Sequence, residues 1–313
     1  MDEFALIDQF FTGRGVCRDD VRLGIGDDAA VTRCDDGFEL VIATDTICEG
    51  THFLPGTPPH VLGHRCLAVN LSDLAAMGAE PMWCTLALSL PEAEPDWVRR
   101  FADGFFTIAD RFAIMLIGGD TVCGPLAMTV TVHGRIKQGQ AICRDGAREG
   151  DLIYVTGMPG QAAAGLRALR ESGAMADTGS DQVRSFWYPQ PRVMEGRALV
   201  GLATAMIDVS DGLMVDTSRL LAVSGLGAQM DLVDLPLDAV GTNNALELAL
   251  NGGDDYELCF CIPPDRRLEL EQLVADWPCP VTRIGTAQRI ADIVWLIDGK
   301  PCNTAAGQFK HFF

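Results

Sequence analysis

Aspartate residues recur beside glycine or serine near the ends of apolar runs, and this pattern limits what the chain can fold into. The first instance is the segment 23–30, LGIGDDAA, in which two carboxylates follow a glycine turn. Four more clusters follow: NLSD at 70–73, GGDT at 118–121, DVSD at 208–211 and GGDD at 252–255. Small neighbours let a phosphate or a metal approach the backbone, and carboxylates supply the hard oxygen ligands that Mg²⁺ binds. One Gly-Asp-Asp is weak evidence because both residues are common in turns, but five clusters favour a phosphate and metal site.

The composition excludes several classes of partner. The chain has 313 residues, of which 48% are apolar and 21% charged, so it can bury a large core. Its net charge of −19 argues against nucleic acid and anionic membranes, which need clustered Lys and Arg. A phosphorylated small molecule is compatible with this charge when divalent cations stand between carboxylates and phosphoryl oxygens. Acidity combined with an anionic substrate therefore implies Mg²⁺.

Three features of the sequence predict a cytoplasmic protein. The N-terminal segment MDEFALIDQFF is acidic, unlike a signal or transit peptide. No apolar run approaches the ~18 residues that span a bilayer. The eleven Cys form no Cys-x-x-Cys pair, which is typical of reduced thiols and argues against a zinc site. We therefore expect no membrane partner.

Hydrophobic periodicity predicts helices and strands in two halves of the chain. For the first half the expected helices are 2–11, 58–78 and 95–111, and the expected strands are 38–46, 82–90, 113–117 and 126–136. The segment 23–31 is expected to lead into a hairpin whose second strand is 38–46. For the second half the strands are 152–157, 204–208, 256–262 and 293–297, and the helices are 161–172, 192–202, 212–223 and 264–277. Residues 137–150 are polar and glycine-rich, which indicates a domain boundary. We predict an α+β protein of two unlike domains, 1–137 and 150–313, facing each other across a carboxylate-lined cleft.

A set of aspartates makes up the candidate metal ligands: Asp27, Asp28, Asp45, Asp73, Asp120, Asp208 and Asp211. Any single member is better explained as a helix cap or a turn former. Together they favour a site for several metals, because two of them follow apolar strands and one lies in an apolar helix, where burial without a cation is costly. Asp211 opens a helix whose backbone N–H groups favour anions.

Two basic residues and one acidic segment are further candidates. His52 lies just past a predicted metal-bearing turn, although a lone His is more often a hydrogen-bonded surface residue. Arg144 is either a solvated linker charge or a phosphate clamp. In GGDDYELCF, 252–260, Asp254 and Asp255 are turn residues or site residues, and the pattern does not decide between these. The chain has neither a Walker loop nor the protein-kinase motifs, so it belongs to neither common kinase class.

Taken in order, the motifs of the whole chain resemble those of the thiamine-monophosphate kinase family. The matching segments are GIGDDAA, ATDT, the His of GTHFLP, AVNLSDLAAMGAEP, LIGGDT, TVHG, GDLIYVTG, IDVSDGL and GGDDYELCF. The resemblance implies the two-domain aminoimidazole ribonucleotide synthetase-like fold, with an N-terminal sheet domain that forms the interface of a homodimer and a C-terminal α/β domain. It also implies transfer of the γ-phosphoryl group of ATP to thiamine monophosphate, which gives thiamine diphosphate and ADP.

The resemblance implies roles for individual residues. The family's Mg²⁺ positions fall on Asp28, Thr44, Asp45, Asp73, Asp120, Asp208 and Asp211, and on Ala43, which replaces a frequent Ser and can contribute only its backbone carbonyl. The ATP-contacting positions fall on Gly119, Asp120, Arg144 and Ser210, and the substrate-contacting positions on His52 and Asp254. Asp254 departs from the family, which usually has Glu there. A substrate-packing aromatic residue near the C terminus aligns with Ala306, so Phe309 is the candidate substitute.

The chemistry of two anionic substrates predicts direct in-line transfer assisted by several Mg²⁺ ions. The attacking group is a phosphate oxygen that is largely deprotonated at neutral pH, so we expect no strong general base and no covalent nucleophile. The rival hypotheses are another ATP-using member of the superfamily and a non-catalytic Mg-nucleotide-binding protein. Selenophosphate synthetase would need a reactive N-terminal Cys or selenocysteine, and the hydrogenase-maturation dehydratase a C-terminal Cys, whereas this chain ends in His311-Phe312-Phe313.

Overall fold

The computed structural model describes residues 3–26, 29–173, 179–290 and 292–301. The chain divides into two compact units. Unit 1 comprises Met1–Leu74 and Ala79–Gly139, and unit 2 comprises Ala75–Gly78 and Gln140–Phe313. In the described part, no helix has both the length and the apolar character needed to cross a bilayer. The functional assignments made for residues 1–137 and 150–313 stay predictions.

The first half of the chain contains α1 (Glu3–Phe10), β1 (Val21–Leu23), β2 (Val31–Thr32), β3 (Phe38–Cys48), α2 (Pro59–Ala76), β4 (Glu80–Leu90), α3 (Pro95–Arg111), β5 (Met115–Cys123) and β6 (Ala127–Lys137). The described strands of unit 1 form a four-stranded sheet in the order β3-β6-β4-β5 and a separate β1-β2 pair. Strands β4 and β5 are parallel, and the other neighbours in the larger sheet are antiparallel.

The predicted hairpin that ends in the strand 38–46 is wrong. Strand β2 pairs with β1, while β3 pairs with β6 along its whole length, from Phe38 opposite Lys137 to Cys48 opposite Ala127. The backbone N–H and C=O groups of the eleven-residue strand β3 find hydrogen-bond partners along the equally long β6, whereas the two-residue β2 could pair with only a small part of it.

Strand β6 shows the alternation expected of a sheet with one covered face. Met128, Val130 and Val132 are buried, and the residues between them are partly exposed. The edge strand β3 leaves Leu40 and Ile42 with 45% and 58% of their surface exposed. Unit 1 therefore presents an apolar patch on its edge strand.

Two glycines bring helices α2 and α3 into close contact. A Cβ atom at Gly63 would lie 2.0 Å from the carbonyl oxygen of Phe101, and one at Gly104 would lie 1.9 Å from the carbonyl oxygen of His60. Each glycine thus accommodates a backbone carbonyl of the other helix. Residues 61–72 of α2 are all buried, so this helix passes through the interior of unit 1.

The second half contains β7 (Leu152–Thr156), α4 (Gln161–Ser172), α5 (Asp181–Trp187), α6 (Val193–Ala198), β8 (Ala205–Val209), α7 (Leu213–Val223), β9 (Gly227–Asp231), α8 (Ala245–Asn251), β10 (Glu257–Ile262), α9 (Arg267–Val274), β11 (Val281–Gln288), β12 (Ile293–Ile297) and β13 (Lys300–Pro301). Its described strands form a seven-stranded sheet in the order β13-β12-β9-β11-β7-β10-β8. Only the β12–β9 pair is parallel among these described neighbours. Strands β7 and β10, which are central, and β8, which is at the edge of the sheet, are buried at every position, which is typical of strands covered on both faces.

Candidate active site

Asp45 and Asp120 lie inside strands, and the prediction that they follow strand exits is wrong. Asp45 pairs with Val130 within β3–β6, and Asp120 pairs with Ala87 within β4–β5. Both strands continue for three residues beyond the aspartate, to Cys48 and Cys123, because their neighbours extend equally far. Backbone pairing has therefore overridden the local turn signal of Gly-Gly-Asp.

Asn70 connects the aspartate of β3 to the helix that carries Asp73. The Asp45 backbone N–H donates to Asn70 Oδ1 at 2.8 Å, and the Asn70 amide donates to the Cys66 carbonyl at 2.9 Å. Asn70 is fully buried, and Asp73 follows it by three residues on the same side of α2. Asn70 is not among the site residues predicted from the sequence, although an amide within an otherwise apolar helix is the signal that identifies it.

The turn after β3 fixes His52. The Cys48 backbone N–H donates to His52 Nδ1 at 3.1 Å, and the His52 N–H donates back to the Cys48 carbonyl at 3.0 Å. Because Nδ1 accepts this hydrogen bond, the position left for the ring proton is Nε2. The structure thus holds the ring in one tautomer at the end of the strand that bears Asp45.

The Gly-Gly segment of β5 borders a cavity in unit 1. A Cβ atom at Gly119 would lie 1.9 Å from the Leu86 carbonyl oxygen, so the strand backbone has no space for a side chain there. The cavity has a volume of about 930 Å³. Its lining combines glycine and polar residues with an apolar wall from α1, β4 and β5: Gly24, Gly26, Gly118, Gly119, Asp120, Thr121, Ile7, Phe11, Leu86, Leu116 and Ile117.

In unit 2, Asp216 occupies the N-terminal end of α7. Its Oδ2 atom accepts hydrogen bonds from the backbone N–H groups of Ser210, Asp211 and Gly212 at 3.0, 2.9 and 3.2 Å. The backbone N–H groups at this helix start therefore do bind an anionic group, and a side chain of the same helix supplies it. Burial raises the pKa of the Asp216 carboxyl, although the N–H donors and Arg219 oppose this effect.

Arg219 neutralises part of the acidity around this turn. Its Nη1 atom donates to Asp216 Oδ1 at 3.0 Å and also contacts the Asp211 carboxylate. Asp208 is buried in β8, where it pairs with Leu258 of β10, two residues before Ser210. The structure thus brings together three residues of the predicted ATP and metal positions, Asp208, Ser210 and Asp211.

The GGDD segment packs on the same turn. The Asp254 N–H donates to the Ser210 carbonyl at 2.8 Å, and the Tyr256 N–H donates to the Val209 carbonyl at 2.8 Å. Asp254 and Tyr256 have positive φ angles of 69° and 52°, which are costly for residues with side chains. Asp254 is therefore a turn residue that is held beside Ser210, and Asp255 points its carboxylate to the N terminus of α4.

An ion pair missed by the sequence analysis supports the start of β10. Arg192 Nε and Nη2 donate to Glu257 Oε2 and Oε1, each at 2.6 Å, and Thr156 Oγ1 donates to Oε2 at 2.6 Å. Burial alone would lower the pKa of Arg192, but the charge of Glu257 outweighs it and raises that pKa. This pair follows Tyr256 directly and so fixes the C-terminal side of the GGDDY segment.

The backbone of Arg144 lies near the C-terminal end of α7, whereas Ser210 lies before the N-terminal end of that helix. Arg144 begins a short 3-10 helix, Arg144–Gly146, whose backbone contacts Ser224 after the C-terminal end of α7, whereas Asp211 precedes the N-terminal end. The Arg144 side chain is exposed. Its predicted role as an ATP contact stays a prediction.

Three predicted site residues, Asp27, Asp28 and Phe309, lie outside the described residues, as does Ala306. Among the residues that are described, no group of three or more His, Cys, Asp or Glu is arranged to hold a metal ion. The roles predicted for Ala43, Thr44, Asp45, Asp73, Asp120, Asp208 and Asp211 as metal positions therefore stay predictions.

Comparison with known proteins defines the class of the fold. Family models described as AIR synthase related protein match residues 26–136 with the N-terminal domain and residues 148–293 with the C-terminal domain. The predicted α+β fold of the aminoimidazole ribonucleotide synthetase type is thus confirmed.

Individual relatives identify the family to which the chain belongs within this class of fold. Thiamine-monophosphate kinase of Escherichia coli (strain K12) is 43% identical over 320 residues, covering 99% of this chain and 98% of the relative. The crystal structure of thiamine-monophosphate kinase from Stenotrophomonas maltophilia K279a superposes with a TM-score of 0.84 at 44% identity, covering 91% of this chain and 93% of that chain. AaThiL complexed with AMPPCP and TMP superposes with a TM-score of 0.78 at 28% identity, covering 90% and 89% of the two chains. This chain belongs to the thiamine-monophosphate kinase family.

Proposed function

We propose that the protein transfers the γ-phosphoryl group of ATP to thiamine monophosphate and releases thiamine diphosphate and ADP. The observation that carries this proposal is the 2.8 Å hydrogen bond between the Asp254 N–H and the Ser210 carbonyl. It joins the residue proposed to contact thiamine monophosphate to a residue proposed to contact ATP. The related AaThiL complex, which holds the ATP analogue AMPPCP together with TMP, supports the same pair of ligands.

Mg²⁺ is the proposed cofactor, and the donor atoms suit it. Mg²⁺ prefers hard oxygen donors, and every proposed ligand atom is an oxygen. The proposed ligands are the hydroxyl of Thr44, the carbonyl of Ala43 and the carboxylates of Asp28, Asp45, Asp73, Asp120, Asp208 and Asp211. The Asp211 carboxylate pairs with Arg219 in this structure, so a metal ion bound there would share this carboxylate with the guanidinium or displace it. When bound, the ions would neutralise negative charge on the phosphates during in-line transfer.

The protein's own residues contribute mainly by orienting the two substrates. Gly119 lets β5 pack against the Leu86 carbonyl of β4, where a side chain would not fit, and Ser210 is held by the Asp216 carboxylate. The acceptor oxygen of thiamine monophosphate attacks the γ-phosphorus while the bond to the β–γ bridging oxygen breaks, so ADP leaves. Because the attacking oxygen is already deprotonated at neutral pH, no protein base or covalent nucleophile is required. Orientation and charge neutralisation then supply most of the rate.

His52 and Arg144 are the proposed basic contacts, with thiamine monophosphate and ATP respectively. The His52 ring is fixed in the Nε2-protonated form, so Nε2 is a hydrogen-bond donor to a phosphate oxygen. The exposed side chain of Arg144 can pair with a phosphate in bidentate geometry. Phe309 is the proposed aromatic contact with the substrate ring.

The protein is also proposed to form a homodimer through the sheet of unit 1. Leu40 and Ile42 on the edge strand β3 supply exposed apolar surface, and an unpaired strand edge is a common site of self-association. Light scattering coupled to size-exclusion chromatography gives the mass in solution. Leu40→Asp combined with Ile42→Asp should shift a dimer to a monomer, and a wild-type mass of a single chain would exclude the dimer.

The enzymatic test is a product assay with Mg-ATP and thiamine monophosphate, in which thiamine diphosphate and ADP are quantified by chromatography. Free thiamine is the parallel acceptor. Equal amounts of the two products from the monophosphate, and none from thiamine, are expected. ATP turnover without thiamine diphosphate would instead favour another activity of the superfamily. Bound nucleotide without any turnover would favour a non-catalytic nucleotide-binding protein.

A further inference from the structure

Helix α4 lacks a capping side chain of its own. Its N-cap residue is Gly160, which has a left-handed φ of 93° and no side chain to accept the first N–H groups of the helix. A Cβ atom at Gly160 would lie 2.6 Å from the Ala249 backbone nitrogen, so no larger residue fits there. The cap must therefore come from elsewhere in the fold.

Asp255 provides this cap from a segment more than ninety residues away in sequence. Its Oδ2 atom accepts the Gly160 N–H at 2.8 Å, and its Oδ1 atom accepts the Ala162 N–H at 3.4 Å. Burial raises the pKa of the Asp255 carboxyl well above its usual range, while these two donors lower it. A desolvated carboxylate aligned with a helix N terminus is a favourable arrangement that an amide reproduces only in part.

The residues on both sides of Asp255 are held in strained backbone conformations. Asp254 and Tyr256 have left-handed φ angles, and their N–H groups bond to the Ser210 and Val209 carbonyls. Such conformations persist only when the surroundings hold them in place. A hydrogen bond on each side of Asp255 attaches the segment to the last residue of β8 and to the turn that follows it, and the Asp255 carboxylate attaches its centre to α4.

The two glycines that precede Asp254 allow this segment to pack closely against its neighbours. A Cβ atom at Gly252 would lie 2.4 Å from the Ala163 Cβ, and one at Gly253 would lie 2.5 Å from the Ser210 carbonyl oxygen. The GGDDY segment is thus packed between the N-terminal turn of α4 and the Ser210 turn. Its position depends on both neighbours.

We propose that Asp255 is a positioning residue for substrate recognition: by capping α4 it holds the left-handed turn that places the Asp254 carboxylate against thiamine monophosphate. The inference rests on the proposed function, because that function assigns Asp254 to the substrate. Asp254 is one methylene shorter than the glutamate usual in the family, so its reach depends more strongly on the placement of its backbone. Loss of the cap should therefore weaken binding of thiamine monophosphate more than binding of ATP.

The kinetic test compares Asp255→Ala and Asp255→Asn with the wild type. For the alanine variant we expect the KM for thiamine monophosphate to rise about tenfold or more, while the KM for ATP and kcat change less than about threefold. The asparagine variant keeps one acceptor oxygen and should recover part of this loss. If the alanine variant does not fold, the asparagine variant is judged by the same split between the two KM values.

Asp151→Asn is the matched control. Asp151 is also a buried carboxylate of unit 2 that accepts a backbone N–H, from Arg148 at 2.9 Å, and a hydroxyl, from Thr204 at 2.6 Å. Asp151 precedes β7 and Gly160 follows it, so the control residue and the helix cap lie at opposite ends of this strand. Asp151→Asn should lower stability without changing the KM for thiamine monophosphate. An equal rise of that KM in the control, or an unchanged KM in a folded Asp255→Ala variant, would overturn the proposal.

Hydrogen–deuterium exchange on the ligand-free protein separates this proposal from the proposed function. In Asp255→Ala, peptides that contain Asp254 and Tyr256 should exchange faster than in the wild type, and Asp151→Asn should leave them unchanged. Unchanged exchange in Asp255→Ala would refute the positioning role even if the enzyme phosphorylates thiamine monophosphate. Faster exchange supports the positioning of the turn even if the wild type fails the product assay, in which case only the identity of the substrate is wrong.

Discussion

The carboxylate of Asp216 accepts the backbone N–H of Ser210 at 3.0 Å and those of the next two residues with the same oxygen. A side chain inside α7 therefore shapes the turn that precedes the helix. The arrangement satisfies donors that a helix N terminus otherwise leaves open, and it fixes the orientation of Ser210 and Asp211 before any ligand arrives. Preorganisation of this kind reduces the cost of ordering a site on binding.

Replacing Asp216 should damage both stability and activity. Asp216→Ala removes one buried acceptor from three N–H groups, and we expect a loss of roughly 3 kcal/mol in the free energy of unfolding. Urea denaturation measures this loss. Asp216→Asn keeps an acceptor of similar shape, so its loss should be smaller. An alanine variant as stable as the wild type would show that the three hydrogen bonds contribute nothing.

Asp208→Asn should lower turnover far more than it lowers stability. An amide is a poorer ligand for Mg²⁺ than a carboxylate, and we expect kcat to fall by about 100-fold or more. The substitution also removes a buried negative charge, so the free energy of unfolding should change by less than about 1 kcal/mol. Asp231→Asn, at the exposed end of β9, is the control for a lost surface charge. Near-normal turnover of Asp208→Asn would remove this residue from the site.

Gly119→Ala and Gly118→Ala form a matched pair. A methyl group at Gly119 would meet the Leu86 carbonyl oxygen at 1.9 Å, whereas the nearest atom to a methyl group at Gly118 is Thr85 Cγ2 at 4.0 Å. We expect Gly119→Ala to destabilise the protein by roughly 1–3 kcal/mol and to weaken binding of an ATP analogue. Thermal unfolding and calorimetric titration measure these two effects. Equal losses in the two variants would show that the close contact at Gly119 is unimportant.

His133 should make stability depend on pH near neutrality. It lies on β6 against Trp83, with ring centres 6.2 Å apart, and burial lowers the pKa of its imidazole below the usual 6.5. The unfolded chain then binds the proton more readily than the folded one, so stability is fully present above pH 6.5 and is lost as the pH falls towards the lowered value. The Tm of the wild type should therefore fall more steeply between pH 7.5 and pH 5.5 than that of His133→Gln. Parallel curves for the two proteins would contradict this origin of the pH dependence.

Local signals predicted the helices better than the strand pairing. The predicted helices 95–111 and 161–172 have the bounds seen for α3 and α4, since a Pro begins the first and a Gly ends the second. The predicted helix 192–202 is only Val193–Ala198. The strand predicted at 113–117 begins at Met115, because Ala113 adopts a left-handed φ of 51°, and it continues to Cys123 because β4 pairs with it.

The motifs indicated the candidate site residues but not the residues that hold them in place. Asp208, Ser210, Asp211 and Asp254 belong to motifs that the sequence shows directly, and unit 2 brings them together. The supporting residues Asn70, Asp216 and Asp255 act on backbone groups that depend on the folded arrangement. For Asp255 the partner is a helix in a distant part of the sequence, so no local pattern separates its role from that of Asp254.

The glycine contacts between α2 and α3 restrict how this part of the protein can change over evolutionary time. In most packed cores a larger residue on one side is tolerated when its neighbour becomes smaller. At Gly63 and Gly104 the opposing group is a backbone carbonyl, which no substitution can shrink. Neither position therefore has a compensating mutation available in the other helix. The helix that carries Asn70 and Asp73 is thereby kept at a fixed distance from α3, whatever happens to the side chains around it.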